Sequence, residues 1–258
     1  MKLLITGSEG FIGKNLVNYL SRKYDGLEII GWDRKAGRDV LDITESYLKV
    51  ENIGAVIHLA AQTSVWNKDI SQIEYDNIRG FIHIYELCKK LNIRLVFASS
   101  SCALNPTSMY GLSKKFDEDF SELYWYENFV CLRLHNVYGK NSREDTLLGK
   151  CLNENEIILY NNGLNSRHFT YIDDVCKGIE KGLTVPSGVY NVINPEENLV
   201  IDVVNEVKKY EDINVVLTPE KREFDLERQI ADGKIPNIIT SYTPINKGIK
   251  LVFENGRK

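Results

Sequence analysis

The sequence has no run of the roughly 18 consecutive apolar residues that a membrane-spanning helix needs, so no membrane partner is expected. Cysteine is sparse and scattered. Cys88, Cys102, Cys131, Cys151 and Cys176 form no Cys-x-x-Cys pair. An odd, dispersed set argues against a disulfide framework and for a reducing compartment, here expected to be the cytoplasm. The four histidines (His58, His83, His135, His168) show no metal-ligand spacing, so no metal is expected. Basic runs are no longer than a pair such as Lys89-Lys90, and the formal net charge is -4. Nucleic acid is therefore not an expected partner. There is no internal repeat, low-complexity tract or flexible linker. Met1-Lys2-Leu3-Leu4-Ile5 runs straight into Thr6-Gly7 and reads as a strand, not a secretion signal.

What is present is ordinary in bulk, with 43% hydrophobic and 26% charged residues in 258 positions. That length suits one large domain or a domain with a smaller lobe. Apolar runs at Lys2–Ile5, Glu28–Trp32, Ala55–Leu59, Arg94–Ala98 and Phe129–Leu134 read as strands. Stretches with helical spacing lie between them, notably Ile78, Phe81, Ile82, Tyr85 and Cys88, and again from Tyr110 to Tyr126. Alternating strands and helices predict an α/β fold with a doubly wound parallel sheet. After about Tyr138 the alternation weakens and Asn, Pro and Gly punctuate the chain.

Gly7, Gly10 and Gly13 follow the first predicted strand and open a predicted helix. The first glycine permits a tight turn, the second lets backbone approach a pyrophosphate, and the third lets helix pack on strand. Free N–H groups at the helix start then face the phosphates. Asp33 ends the second strand, 20 residues after Gly13 (33 − 13). A carboxylate there can bond both ribose hydroxyls and repel a 2′-phosphate, favouring NAD over NADP. Arg34 follows directly and keeps NADP open. A solvated loop acid is the alternative reading of Asp33. Together these features predict a Rossmann-type dinucleotide-binding domain over 1–138, with a return segment near 166–182. Residues 139–258 are expected to form a smaller C-terminal substrate lobe.

Tyr110 and Lys114 are four apart at a predicted helix start, one turn from each other on one face. A free phenol has a pKa of about 10, too high for a base near neutrality. A neighbouring ammonium and an oxidised nicotinamide would both lower it. Ser99, Ser100 and Ser101 end the strand just upstream, at the sheet edge where ligands sit in such folds. A helix-capping polar turn is the alternative for these serines. His58 and His135 lie in apolar strands and read as packed, Phe169 and Tyr171 as core, and Asp173 and Asp174 as caps of a helix near Val175.

With these residues the chain resembles the extended short-chain dehydrogenase/reductases, in the nucleotide-sugar epimerase/dehydratase branch. The resemblance covers nearly the whole length. Thr6-Gly-Ser-Glu-Gly-Phe-Ile-Gly13 is similar to the family's dinucleotide turn, which adds Phe11 and Ile12 to the expected cofactor contacts. Asp42-Ile43 resembles its adenine contact, and His58-Leu-Ala-Ala61 the segment lining the cofactor, with Leu59, Ala60 and Ala61 in contact. Asn77 resembles the asparagine that follows, and Ser99 joins the cofactor set. Tyr110-Gly-Leu-Ser-Lys114 resembles the catalytic helix start, with Ser100 at the family's catalytic Ser/Thr position. On the substrate side the resemblance implies Ser101, Asn136 within Leu132–Gly139, Arg167 within Arg167–Asp174, and Arg222 within Arg222–Asp225, with Ala231-Asp232 continuing the last motif. Arg222 also reads as a solvated surface residue.

The resemblance implies an NAD-dependent enzyme acting on a nucleotide sugar, and a role in polysaccharide biosynthesis. Similar dehydratases carry an Asp-Glu pair, and similar decarboxylases a Glu, where this chain has Ser101 and Cys102. A 4-epimerase needs neither acid, and this is the expected reaction. A 4-keto-sugar reductase or epimerase-reductase using NADPH is the alternative. Ser100-Ser-Cys102 resembles a segment of such enzymes, but Lys140–Asp145 lacks their histidine. A catalytically silent dinucleotide-binding protein is a third reading. Only ten positions separate Ser100 from Tyr110 (110 − 100), where the family has a longer substrate-contacting loop. The pocket is then either more open or shaped by another segment. The apolar face of the Tyr110 helix (Phe116, Phe120, Leu123, Tyr124) predicts a homodimer through a four-helix bundle, as in relatives.

Overall fold

The computed structural model describes residues 2–254. Strand β1 (Lys2–Thr6) leads into helix α1 (Phe11–Lys23), strand β2 (Glu28–Trp32), helix α2 (Glu45–Val50) and strand β3 (Ile53–His58). Helix α3 (Ile70–Ile73) runs through a π-helical stretch, Glu74–Arg79, into α4 (Gly80–Leu91). There follow β4 (Arg94–Ser100), α5 (Met109–Leu123), β5 (Phe129–Leu134), β6 (Val137–Tyr138), α6 (Leu147–Asn153), β7 (Glu156–Leu159), β8 (Ser166–His168), β9 (Thr170–Tyr171) and α7 (Ile172–Gly182). The chain ends with β10 (Gly188–Val192), β11 (Glu197–Leu199), α8 (Val200–Val207), β12 (Asn214–Leu217) and α9 (Ile245–Glu254).

Six parallel strands form the central sheet in the order β2-β1-β3-β4-β5-β10. This is the Rossmann-like α/β architecture. Side chains alternate across the pleat, so β1 sends Leu3 and Ile5 to one face and Leu4 to the other. On the first face, α1 and α7 bring Leu16, Leu20, Val175 and Ile179 against the sheet. On the second, α4 packs Phe81, Ile84, Tyr85 and Cys88 against Val56, Leu95, Phe97 and Phe129. All of these are buried. Because both faces are covered, the central strands read as continuous apolar runs, which is why their positions were legible in the sequence. The strand order reverses beside β1, whose neighbours are β2 and β3. Such a switch point leaves a crevice at the C-terminal strand ends.

The return to the sheet extends beyond the expected 166–182. It includes β10, which pairs with β5 from Gly188–Val130 to Val192–Leu134. The smaller lobe is built of β7 paired with β12, β8 paired with β11, and helices α6, α8 and α9. It shares one apolar cluster with the sheet, since Val203, Val204, Val207, Ile249 and Val252 belong with Leu3, Val96 and Leu132. The two parts therefore have a continuous core. Asp173 and Asp174 lie inside the first turn of α7 and do not cap it, because the helix begins at Ile172. Asp174 accepts bonds from Lys177 (2.9 Å) and from the Thr243 backbone N–H (2.6 Å).

The packing of α9 on β6 is tight enough to test. A Cβ on Gly248 would stand 1.9 Å from the Tyr138 hydroxyl and 2.7 Å from its ring carbon Cζ. The Tyr138 ring is buried and cannot swing into solvent. Gly248→Ala is expected to lower stability by about 1–3 kcal/mol, read as a lower urea midpoint. Gly233→Ala, with nothing within 4 Å, is the matched control and should change little.

Candidate active site

The crevice opens into a cavity of about 640 Å3. Gly7 turns the chain at the end of β1 with φ +70, and a Cβ there would lie 2.7 Å from the Ala60 backbone nitrogen. Gly13 is held as closely, its Cβ position being 2.1 Å from the Gly7 carbonyl oxygen. Gly10 caps α1 with no side-chain bond, and the first turn carries no acid. The free N–H groups and the positive end of the helix dipole are thus left for an anion. Gly7, Gly10, Phe11, Ile12, Gly13, Leu59, Ala60 and Ala61 all line the cavity. So does Asp33, whose carboxylate accepts from the Glu9 and Lys35 backbone N–H groups, each at 2.9 Å. The neighbouring Arg34 is bound to Asp39 (2.8 Å) and Asp76 (2.7 Å), so its charge is already countered. This donor set fits a dinucleotide with a free ribose hydroxyl.

Three residues expected at the cofactor stand elsewhere. The wall of the cavity on this side includes Asp39, Val40 and Leu41, the three residues directly preceding the expected Asp42-Ile43. Asp39 caps the short 3-10 turn Val40–Asp42, which leaves Asp42 exposed and drives Ile43 into the core. Asn77 is buried behind the cavity. It accepts from the Gln62 N–H (2.7 Å) and donates to the Gln62 carbonyl (3.0 Å) and the Ser113 hydroxyl (2.8 Å). Asn77 thereby ties the loop after β3 to α5. His58 is also structural: its Nδ1 shares a 2.7 Å hydrogen bond with Thr6, and burial pushes it down to about 3, hence uncharged.

Ser99, Ser100, Ser101, Tyr110 and Lys114 meet at the far side of the crevice. β4 delivers the serines. Ser108 caps α5, accepting from the Gly111 N–H at 3.2 Å, and so fixes Tyr110 in the first turn. Ser99 is turned inward to Glu118, which Arg133 grips at 2.7 Å. Ser100 accepts from the Cys102 N–H at 3.1 Å. Burial raises the Tyr110 phenol well above its ordinary value and Cys102 adds to this, while a hydrogen bond with Ser100 and the charge of Arg143 pull it down. A raised phenol pKa means the proton is held at neutral pH. Taking a proton from a substrate then requires further positive charge beside the ring. Lys114 is buried one turn on, with its ammonium 4.4 Å from the centre of the Phe97 ring.

On the substrate side, Ser101 and Asn136 line the cavity together with Gln229, which the sequence did not single out. Gln229 is buried; its amide donates to Ser101 (2.5 Å) and accepts from Asn136 (2.5 Å). It sits in a segment with no periodicity, so no local signal marks it. Arg167 and Arg222 stand outside the cavity wall. Arg167 binds Asp225 and the Leu226 carbonyl (2.5 Å). Arg222 lies over Trp66 (4.0 Å) and Tyr160 (5.4 Å). The short Ser100–Tyr110 loop touches another segment: Thr107 donates to the Phe224 carbonyl at 3.0 Å, and Phe224 packs on Trp66. Among the described residues no helix is long and apolar enough to cross a membrane, and no group of three or more His, Cys, Asp or Glu is placed to hold a metal.

Asp33→Ala should weaken NAD binding about tenfold or more, the worth of a lost charge-assisted hydrogen bond. Calorimetric titration with NAD checks this, and unchanged affinity would remove Asp33 from the ribose site.

Comparison with known proteins agrees with this geometry. The family described as NAD dependent epimerase/dehydratase matches residues 3–193. A UDP-glucuronate 4-epimerase of Arabidopsis thaliana is 30% identical, over 68% of this chain and 52% of its own length. A dTDP-D-glucose 4,6-dehydratase of Dictyostelium discoideum is 27% identical, over 80% of this chain and 61% of its own. The solved structure of a Bacillus cereus UDP-glucuronic acid 4-epimerase, with UDP-glucuronic acid and NAD, superposes with a TM-score of 0.84 at 22% identity, covering 98% of each chain. With a cavity at the C-terminal strand ends, Tyr110 and Lys114 among its lining residues and a family match over residues 3–193, the chain belongs to the NAD dependent epimerase/dehydratase family.

Proposed function

We propose that this protein is an NAD-dependent epimerase of nucleotide sugars, inverting C4 through a transient 4-keto sugar. The observation that carries the reading is the distribution of acids around the cavity. Among the described residues its lining carboxylates are Asp33, Asp39 and Asp76, all at the ribose end, whereas Ser100, Ser101, Cys102 and Tyr110 form the opposite end. Eliminating water needs an acid and a base beside the sugar, and positions 101 and 102 supply neither. Inverting a secondary alcohol needs one proton acceptor and a hydroxyl to orient the reacting oxygen.

The glycine turn, Asp33 and Leu59–Ala61 would hold NAD, whose nicotinamide would supply reversible hydride exchange at C4. Tyr110 takes the proton of the 4-hydroxyl and later returns it. Ser100 shares the hydrogen bond to that oxygen, and Lys114 supplies positive charge that favours the phenolate. Asn136 and Gln229 present amides toward the same end of the cavity. We assign Arg167, held outside the cavity wall by Asp225, to the substrate diphosphate, which it would meet only on releasing Asp225. The rival epimerase-reductase reading uses Cys102 as an acid/base; a simple 4-keto-sugar reductase does not. Burial raises the Cys102 thiol, so a thiolate is not favoured there. Uridine diphosphate sugars are the first substrates to try, since relatives act on UDP-glucuronate.

Proton NMR of nucleotide sugars incubated with the protein and catalytic NAD tests this reading. A second sugar isomer with no net NADH is expected. Tyr110→Phe should cut that turnover by about 10²–10⁴-fold while still binding NAD. Unchanged sugars, with NADPH consumed by 4-keto sugars, would establish the reductase instead.

The exposed face of α5 bears Leu112 (51% exposed), Phe116 (40%) and Leu123 (77%), and Tyr124 and Trp125 extend it. An apolar patch of this kind is a contact surface, and we assign it to a second copy of the chain. Light scattering at micromolar protein should give a dimer mass, and Phe116→Glu a monomer. A monomeric unaltered protein rejects the assignment.

A further inference from the structure

Asp117 has no role in the chemistry above, yet it is among the least accessible acids of the molecule. Its side chain is wholly buried on α5, one turn beyond Lys114. Neither of its carboxylate oxygens has a hydrogen-bond partner. A buried carboxylate without hydrogen bonds is costly and persists when a counter-charge compensates it. The Lys114 ammonium supplies that charge, with Nζ 3.7 Å from Oδ2 and only 3% of its side chain exposed. The need is mutual, because the other contact recorded for the ammonium is the face of Phe97.

The remaining groups that face Lys114 are accounted for. Glu118, next on the same helix, is committed to Arg133 and Ser99. Cys131 on β5 is a neutral thiol, held well above its ordinary value by burial and by Glu118. His58 on β3 is neutral as well. Among the described groups that act on Lys114, Asp117 is thus the one carboxylate without another cation. Arg143 and Cys102 act on Tyr110 from the cavity side, and Asp117 itself raises the phenol, an influence opposite to that of the Lys114 ammonium it holds.

We propose that Asp117 is a positioning residue that keeps Lys114 as the ammonium ion beside Tyr110. The proposal rests on the reading of Tyr110 and Lys114 as the proton-transfer pair. The opposing influences agree with it. Burial lowers Lys114 and Asp117 raises it. Burial raises Asp117 and Lys114 offsets part of that rise, the influences together leaving it at about 8. Each group favours the charged form of the other. With the Asp117 charge removed, burial acts on Lys114 with less opposition, and the amine loses its proton at lower pH. The phenol then loses a positive neighbour.

The test needs neither cofactor nor sugar. Lysine labelled with 13C at Cε is followed by NMR against pH, and the Lys114 resonance is identified by its loss in Lys114→Met. Asp117→Asn, which preserves shape, should lower the Lys114 midpoint by about 1–3 pH units, the effect of an opposite charge at this range. Asp119→Asn is the control, since Asp119 pairs with the exposed Lys115 and should leave Lys114 unmoved. An unchanged midpoint in Asp117→Asn makes Asp117 a packing residue and overturns the proposal. If that variant does not fold, the unaltered protein still decides: a Lys114 resonance already in the neutral-amine position at pH 7 overturns it. Once a substrate is known, Asp117→Asn should bring the alkaline limb of kcat to lower pH with KM nearly unchanged. Failure of the epimerase reading leaves the NMR result standing, so the two ideas fail separately.

Discussion

Everything at the candidate site depends on one close approach, the Gly7 turn at the end of β1 against the Leu59–Ala60 backbone at the end of β3. A single added Cβ at Gly7 would meet that backbone at 2.7 Å, and one at Gly13 would meet Gly7 itself at 2.1 Å. The absence of these side chains lets α1 start directly at the crevice with its N–H groups uncapped. The strand order supplies the room, because β2 and β3 leave β1 on opposite sides. The glycine turn and the neighbouring side of the crevice are therefore consequences of backbone packing more than of particular side chains.

The catalytic side is built differently, from charges taken out of water. Tyr110, Lys114 and Asp117 share one face of α5, and Glu118 beside them anchors the helix to β5 through Arg133. Burial alone would hold the phenol protonated and strip the proton from the lysine. In the proposed reaction, proton transfer would depend on how the positive charges of Lys114, Arg143 and a bound oxidised cofactor offset that cost. The same low-polarity surroundings strengthen each of these interactions relative to water.

The substrate end is shaped by distant parts of the chain. Ser101 from β4, Asn136 after β5 and Gln229 near the end meet through one buried amide. The short Ser100–Tyr110 connection touches the Arg222–Gln229 segment, with Trp66 and Phe224 in contact. This end of the cavity therefore rests on elements far apart in sequence.

The sequence by itself determined the parallel sheet, the glycine turn, and the Ser100, Tyr110 and Lys114 constellation. Each is a local pattern: apolar runs covered on both faces, glycines at a fixed interval, and two side chains one helical turn apart. Tertiary structure decided what such patterns leave free. It brought β10 back to the sheet, set the cavity wall at Asp39–Leu41 through a capped 3-10 turn, and withdrew Asn77 behind the cavity. It also placed Gln229 at the site and engaged Arg167 and Arg222 with protein partners. The physical reason is that these placements depend on which surfaces the folded chain brings together, and no spacing along the chain records that.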